Sequence, residues 1–164
     1  MKIRTAILTV SDRSSRGERE DLSGPILRSK ALENGLDVVY LAIVPDEITA
    51  IQNQILAWCA DPKLDLILTT GGTGFAPRDV TPEAVRPLIE RLTPGVDELI
   101  RRRAQSFSVH AALSRAISGI RGKVFIINFP GNPKACNEDF DTLIEILPHA
   151  IALINELPPN VIGH

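Results

Sequence analysis

Apolar runs alternate with helical periodicity along this chain, and each change of period marks a change of element. Residues 3–10 (Ile3-Arg4-Thr5-Ala6-Ile7-Leu8-Thr9-Val10) form a short, mostly apolar run with β-branched positions, which predicts a strand. A 3.6-residue pattern over 24–34, closed by Gly35, predicts a helix. The same alternation continues with a strand at 38–44 and a helix at 47–60 that stops near Pro62. A third strand follows at 64–68, then helices at 82–91 and 95–106. Residues 117–122 read as a strand and turn, 123–128 as a further strand, and 137–156 as one long terminal helix. Strands separated by helices predict an α/β fold, a three-layer α/β/α sandwich with a mostly parallel central sheet. Such sheets take ligands in the crevice beyond the carboxyl ends of their strands.

Composition narrows the class without naming it. A chain of 164 residues is expected to form a single domain over 1–164, with 157–164 (Leu157-Pro158-Pro159-Asn160 and onward) a loose tail. The net charge of −2 gives no electrostatic case for nucleic acid, and 4% aromatic content gives no stacking platform for single strands. No apolar run approaches the ~20 residues of a membrane helix. The start, Met1-Lys2-Ile3-Arg4-Thr5, lacks the apolar stretch of a secretory leader, so a cytoplasmic address is expected. Cys59 and Cys136 lie in apolar helical patterns and read as buried structural thiols. His110 and His149 have no partner at metal-ligand spacing.

The chemistry-bearing residues gather at the predicted strand ends. Thr69-Thr70-Gly71-Gly72-Thr73-Gly74-Phe75-Ala76-Pro77-Arg78-Asp79 joins the third strand to a helix start. Its glycines let a phosphate or ring approach the backbone. With no Gly-Lys-Ser/Thr after it, the loop is not a Walker A motif. Arg78 suits an anion and Asp79 a cation. Asp46, after the second strand, pairs with Asp79 as the carboxylates expected in the crevice. Magnesium uses one or two carboxylates beside substrate phosphates. Each aspartate reads equally as a helix cap. Ser11-Asp12-Arg13 follows the first strand, with Arg13 able to grip an anion. Gly131-Asn132-Pro133 follows the strand at 123–128, with Asn132 placed to cap and Pro133 preorganised for a first helical position. Free N–H groups there suit a terminal phosphate, with Lys134 adding charge. The stretch 16–21 reads as solvated, and Arg101-Arg102-Arg103 as a solvated helix end.

Five blocks together resemble the molybdopterin adenylyltransferase family, which includes a bacterial enzyme and the G domain of gephyrin. They are L-T-V-S-D-R (8–13), V-P-D (44–46), T-T-G-G-T-G-F-A-P-R-D-V-T-P-E-A (69–84), L-S-R-A-I-S-G-I-R-G (113–122) and P-G-N-P-K-A (130–135). The resemblance implies Mg²⁺-dependent transfer of AMP from ATP to the terminal phosphate of molybdopterin, with pyrophosphate released. It implies Asp46 and Asp79 as the catalytic, metal-side carboxylates. It places Ser11, Gly71, Gly72, Thr73, Gly74, Arg78 and Ser114 among the binding residues. Gly131, Asn132 and Pro133 fall near the pterin phosphate. It further implies a homotrimer and handover of the product to a molybdate-insertion protein. The F-A-P-R-D-V form at 75–80 favours the enzyme branch over a related branch of doubtful activity. Two other readings stay open: a non-catalytic pterin carrier of the same fold, and an unrelated nucleotide- or sugar-phosphate-binding α/β protein.

Overall fold

The computed structural model describes residues 2–157, so all of the expected tail beyond Leu157 lies outside the described residues. One six-stranded sheet runs in the order β2-β1-β3-β6-β5-β4. The strands are β1 (Arg4–Val10), β2 (Asp37–Val44), β3 (Leu66–Thr70), β4 (Arg91–Leu92), β5 (Ser118–Arg121) and β6 (Val124–Phe129). The first four strands in that order are mutually parallel, and β5 and β4 add antiparallel pairings at one edge.

Alternation along the strands sorts side chains into two cores. Ile7, Leu66, Leu68, Phe125, Ile127 and Phe129 point to one face, against helices α2 (Ser23–Glu33), α6 (Pro133–Ile144) and α7 (Leu147–Ile154). Val96 and Ile100 of α5 (Pro94–Ala104) join that face. Ala6, Leu8, Val10, Ile67 and Ile126 point to the other, against α3 (Ile48–Cys59) and α4 (Thr81–Val85). Both faces of the central strands are therefore apolar, as parallel sheets require. The three-layer expectation holds.

Two prolines shape what periodicity alone reads as continuous. The stretch 82–91 is not one helix: α4 ends at Val85, a 3-10 turn covers Arg86–Leu88, and Arg91 opens β4. Pro87 has no N–H, and in a continued helix its ring would strike the Glu83 carbonyl. The single helix read over 137–156 likewise divides into α6 and α7, the first ending at Ile144. Pro148 sits in the first turn of α7, four residues beyond that end, where the same clash applies.

Register then aligns the carboxyl ends. Val10 pairs with Val44, Thr9 with Thr70, and Thr70 with Phe129. The loops after β1, β2, β3 and β6 consequently open on one edge. Strand order reverses between β1 and β3, so their ends flank a topological switch point.

Candidate functional site

Ser11 begins at the end of β1, its N–H donating to the Val44 carbonyl at 2.9 Å. Its hydroxyl accepts from Ser14 N at 3.2 Å and caps the one-turn helix α1 (Asp12–Ser15). Asp12 and Asp46 lock their two loops reciprocally. The Asp12 N–H donates to Asp46 Oδ2 at 2.7 Å, and the Asp46 N–H donates to Asp12 Oδ1 at 3.0 Å. Asp46 therefore does not cap α3, whose boundary residue Glu47 makes no side-chain cap bond. Burial pushes the Asp46 carboxyl above its ordinary range; the bond from the Asp12 backbone opposes this, while the Asp12 and Asp79 charges add to it.

Arg78 reaches back to Asp12 in a two-pronged ion pair, Nε to Oδ2 at 2.9 Å and Nη2 to Oδ1 at 2.8 Å. Those hydrogen bonds hold the Asp12 carboxyl below its usual range. The anion that Arg78 meets in this structure is a carboxylate of the same crevice.

The glycine loop is shaped by close backbone approach. Gly71 and Gly72 have φ of +100° and +65°, a region side chains rarely enter. A Cβ at Gly71 would collide with the Val10 carbonyl oxygen, and one at Gly72 with Thr81 Oγ1. Buried Thr81 seals the loop, donating its hydroxyl to Gly71 O at 2.8 Å and its N–H to Gly72 O at 3.0 Å. Asp79 Oδ2 accepts from Ala76 N at 2.9 Å, so this carboxylate closes the loop rather than capping α4. From β6, Gly131 packs on Gly71, a Cβ on Gly131 lying 3.3 Å from Gly71 Cα. Asn132 does cap: its Oδ1 accepts from Ala135 N at 3.1 Å, with Pro133 opening α6.

Two cavities meet across these glycines. The larger, about 570 Å³, lies between α5 and α6 and takes in Thr73, Gly74, Ser114 and Asn132. The smaller, about 280 Å³, is lined by Ser11, Arg19, Asp21, Asp46, Gly71 and Pro133 among others. Gly72, Asp79 and Gly131 line both. Every expected binding residue except Arg78 thus borders one cavity or the other, and Asp79 stands at their junction.

The family described as "Probable molybdopterin binding domain" matches residues 6–149, which include every loop just described. The chain belongs to this family. It is 43% identical to gephyrin of Dictyostelium discoideum, over 93% of this chain and 22% of that protein, so it spans about a fifth of gephyrin's length. It is 40% identical to a molybdopterin adenylyltransferase of Helicobacter pylori, over 93% of this chain and 88% of the relative. Among solved structures, the molybdopterin biosynthesis enzyme MoaB of Thermus thermophilus superposes with a TM-score of 0.89 at 43% identity, covering 95% of this chain and 98% of that one.

In this member of the molybdopterin-binding family, three features escape the sequence reading. Arg115 clamps the glycine loop from outside: Nε donates to Gly74 O at 2.7 Å and Nη2 to Asp79 O at 2.6 Å, while Glu83 holds the same guanidinium. Its backbone N–H adds a bond to Thr73 O at 2.9 Å. Arg101 is not a solvated helix end; it lines the larger cavity and donates to the carbonyls of Ser114 and Ala116. Asp21, read as part of a solvated stretch, accepts from Thr9 Oγ1 at 2.6 Å and from Gly24 N at 3.0 Å. The Asp21–Gly24 bond is a local pattern at the start of α2 that the sequence reading passed over. The Arg115, Arg101 and Thr9–Asp21 pairings join segments that only the tertiary fold brings together, and the block at 113–122 is the sole pointer to Arg115.

The residues present fit a divalent cation at the crevice. Burial disfavours the charged form of Asp46 and the Asp79 charge adds to this, so a positive ion there would be electrostatically welcome. Among the described residues no group of three or more His, Cys, Asp or Glu is placed to hold a metal. A cation on these two carboxylates would therefore draw its remaining ligands from water and phosphate, the habit of magnesium. Cys136 is buried, and burial pushes its thiol up to about 12, which leaves it inert as a nucleophile.

Proposed function

We propose that this chain is a molybdopterin adenylyltransferase of molybdenum cofactor biosynthesis, transferring AMP from ATP to the terminal phosphate of molybdopterin. The observation that carries the reading is the pair of cavities joined at Gly72, Asp79 and Gly131. A two-substrate transfer needs such a junction, because holding nucleophile and phosphorus together supplies much of the catalysis. The larger cavity takes the pterin and the smaller the nucleotide.

In this reading the pterin phosphate oxygen attacks the α-phosphorus of ATP. One P–O bond to that phosphorus forms, the bond to the β-phosphate bridge breaks, and pyrophosphate leaves with the electron pair. The nucleophile is already anionic, so no side chain has to remove a proton. The Lys134 N–H, the one first-turn donor of α6 left free by Pro133 and by the bonds of Ala135 and Cys136 to Asn132, receives the pterin phosphate together with the Lys134 charge. The flush backbone of Gly71 and Gly72 admits the nucleotide phosphates. Asp46 and Asp79 would hold Mg²⁺, which would supply charge neutralisation at the phosphates. Arg78, held on Asp12 beside the crevice, is the cation proposed to meet a nucleotide phosphate. We further infer that the chain acts as one domain in the cytoplasm, assembles as a homotrimer, and passes adenylylated molybdopterin to a molybdate-insertion protein.

The test is pyrophosphate release from ATP in the presence of molybdopterin. Wild type releases it only with both substrates, and Asp79→Ala lowers the rate by roughly 100-fold or more at saturating Mg·ATP. Tight pterin binding without release would mean a carrier instead. Unchanged turnover in Asp79→Ala would remove this residue from the metal site.

A further inference from the structure

The inner wall of the larger cavity holds two polar side chains whose hydrogen-bonding capacity the protein leaves unused. Asn128, at the end of β6, is 4% exposed. Its Nδ2 donates to Thr69 Oγ1 at 2.9 Å, whereas its Oδ1 is buried with no partner. Asp139, on the second turn of α6, is 6% exposed, and its carboxyl makes no hydrogen bond within the described protein. Both line the same cavity. An orphaned acceptor and an unpaired buried carboxyl each cost stability, so neither belongs in a wall that serves packing alone.

What would satisfy them is a planar group rich in N–H donors. A carboxylate accepts two parallel N–H bonds, and the neighbouring amide oxygen accepts a third. The 2-amino-4-oxopyrimidine edge of a pterin offers that pattern: its N3–H and one 2-amino hydrogen face a carboxylate in parallel, and the second amino hydrogen remains for another acceptor. Position along α6 agrees with this occupant. Asp139 lies seven residues from Asn132, about 10 Å along the helix axis. That separation suits a fused ring system at one end and its phosphate at the other.

Resting on the pterin-cavity reading above, we propose that Asp139, with Asn128, reads the amino-pyrimidinone edge of the pterin and sets specificity for it. Burial, with a smaller contribution from Glu138, pushes the Asp139 carboxyl up to about 7. The group therefore gives up its proton at little cost when donors arrive.

The experiment uses the full chain and two fluorescent probes, 6-carboxypterin and its 2-oxo counterpart 6-carboxylumazine, which lacks the amino donor. Wild type should bind the pterin at least tenfold more tightly, the worth of a hydrogen bond to a charged group. Asp139→Asn should erase that preference and lower kcat/KM for molybdopterin about tenfold or more, leaving the KM of ATP unmoved. If Asp139→Asn does not fold, Asp139→Ser serves in its place. Equal binding of the two probes by wild type, or an unchanged preference in the variant, would overturn the proposal. A wild type that keeps the preference but releases no pyrophosphate would defeat adenylyl transfer while leaving pterin recognition standing.

Discussion

Gly71 concentrates the site's steric demands at one position. With φ of +100° and the Val10 carbonyl against its Cα, an alanine there must enter the left-handed region and displace backbone as well. The conformational term alone costs about 1–2 kcal/mol. Gly71→Ala should therefore lower the urea midpoint by an equivalent of more than about 2 kcal/mol, with the slope unchanged. Asp139 makes the opposite kind of prediction. Its carboxyl is raised from 3.8 to about 7, so between those values the folded state binds more protons than the unfolded chain. Stability from this group is present below the lower value and is lost as pH climbs to the upper one. Asp139→Asn should match wild type near pH 4 and exceed it in Tm at pH 8. A constant difference across that range would contradict the buried carboxyl. The aspartates at 46 and 79 were legible in the sequence by type and by position after strands. Asp139 was not, since a carboxylate on an amphipathic helix reads as solvated until the neighbouring helix closes over it.

Helix α6 does two jobs at its first turn. Asn132 caps it through a 3.1 Å bond from Ala135 N and accepts the Cys136 N–H on its carbonyl, which leaves the N–H of Lys134, a residue lining the larger cavity, as the free first-turn donor. Asn132→Ala should cost about 1 kcal/mol in urea unfolding. Asn132→Asp should keep the cap and the stability yet raise the KM for molybdopterin, because a second anion would face the phosphate. Equal kinetic effects from both variants would mean that the cap matters only to the fold. Capping was readable from Asn-Pro after a strand. The helix's far end was not, because apolar periodicity runs straight through Pro148 and only the missing N–H and the clash with Ile144 break it. Pro87 hides the turn into β4 in the same way.

For the molecule as a whole, the site exists because parallel strands place their carboxyl ends side by side at a switch in strand order. Ligands that bind only this folded crevice stabilise it by mass action. Mg·ATP at a hundred times its Kd should add about 2.7 kcal/mol to unfolding stability. Chelation of the metal should remove part of that gain, and Asp46→Asn should be insensitive to the chelator. A gain identical with and without metal would exclude Asp46 from holding it. The homotrimer proposed above predicts that light scattering in solution reports three 17.9 kDa chains per particle, and a single chain per particle would refute it.

The sequence by itself determined the alternation of elements, the four loops that carry chemistry and the family they match. Those depend on local period, on turn residues and on short contiguous blocks. The tertiary structure alone decided which partner these charged groups take: Arg78 with Asp12, Arg115 with the glycine loop, Asp46 with the Asp12 backbone, and Asp139 with none among the described residues. Partner choice depends on strand order and register, which bring together residues such as Arg78 and Asp12, 66 positions apart. Burial, which governs the protons on Asp46 and Asp139, is settled only when the helices close over the sheet.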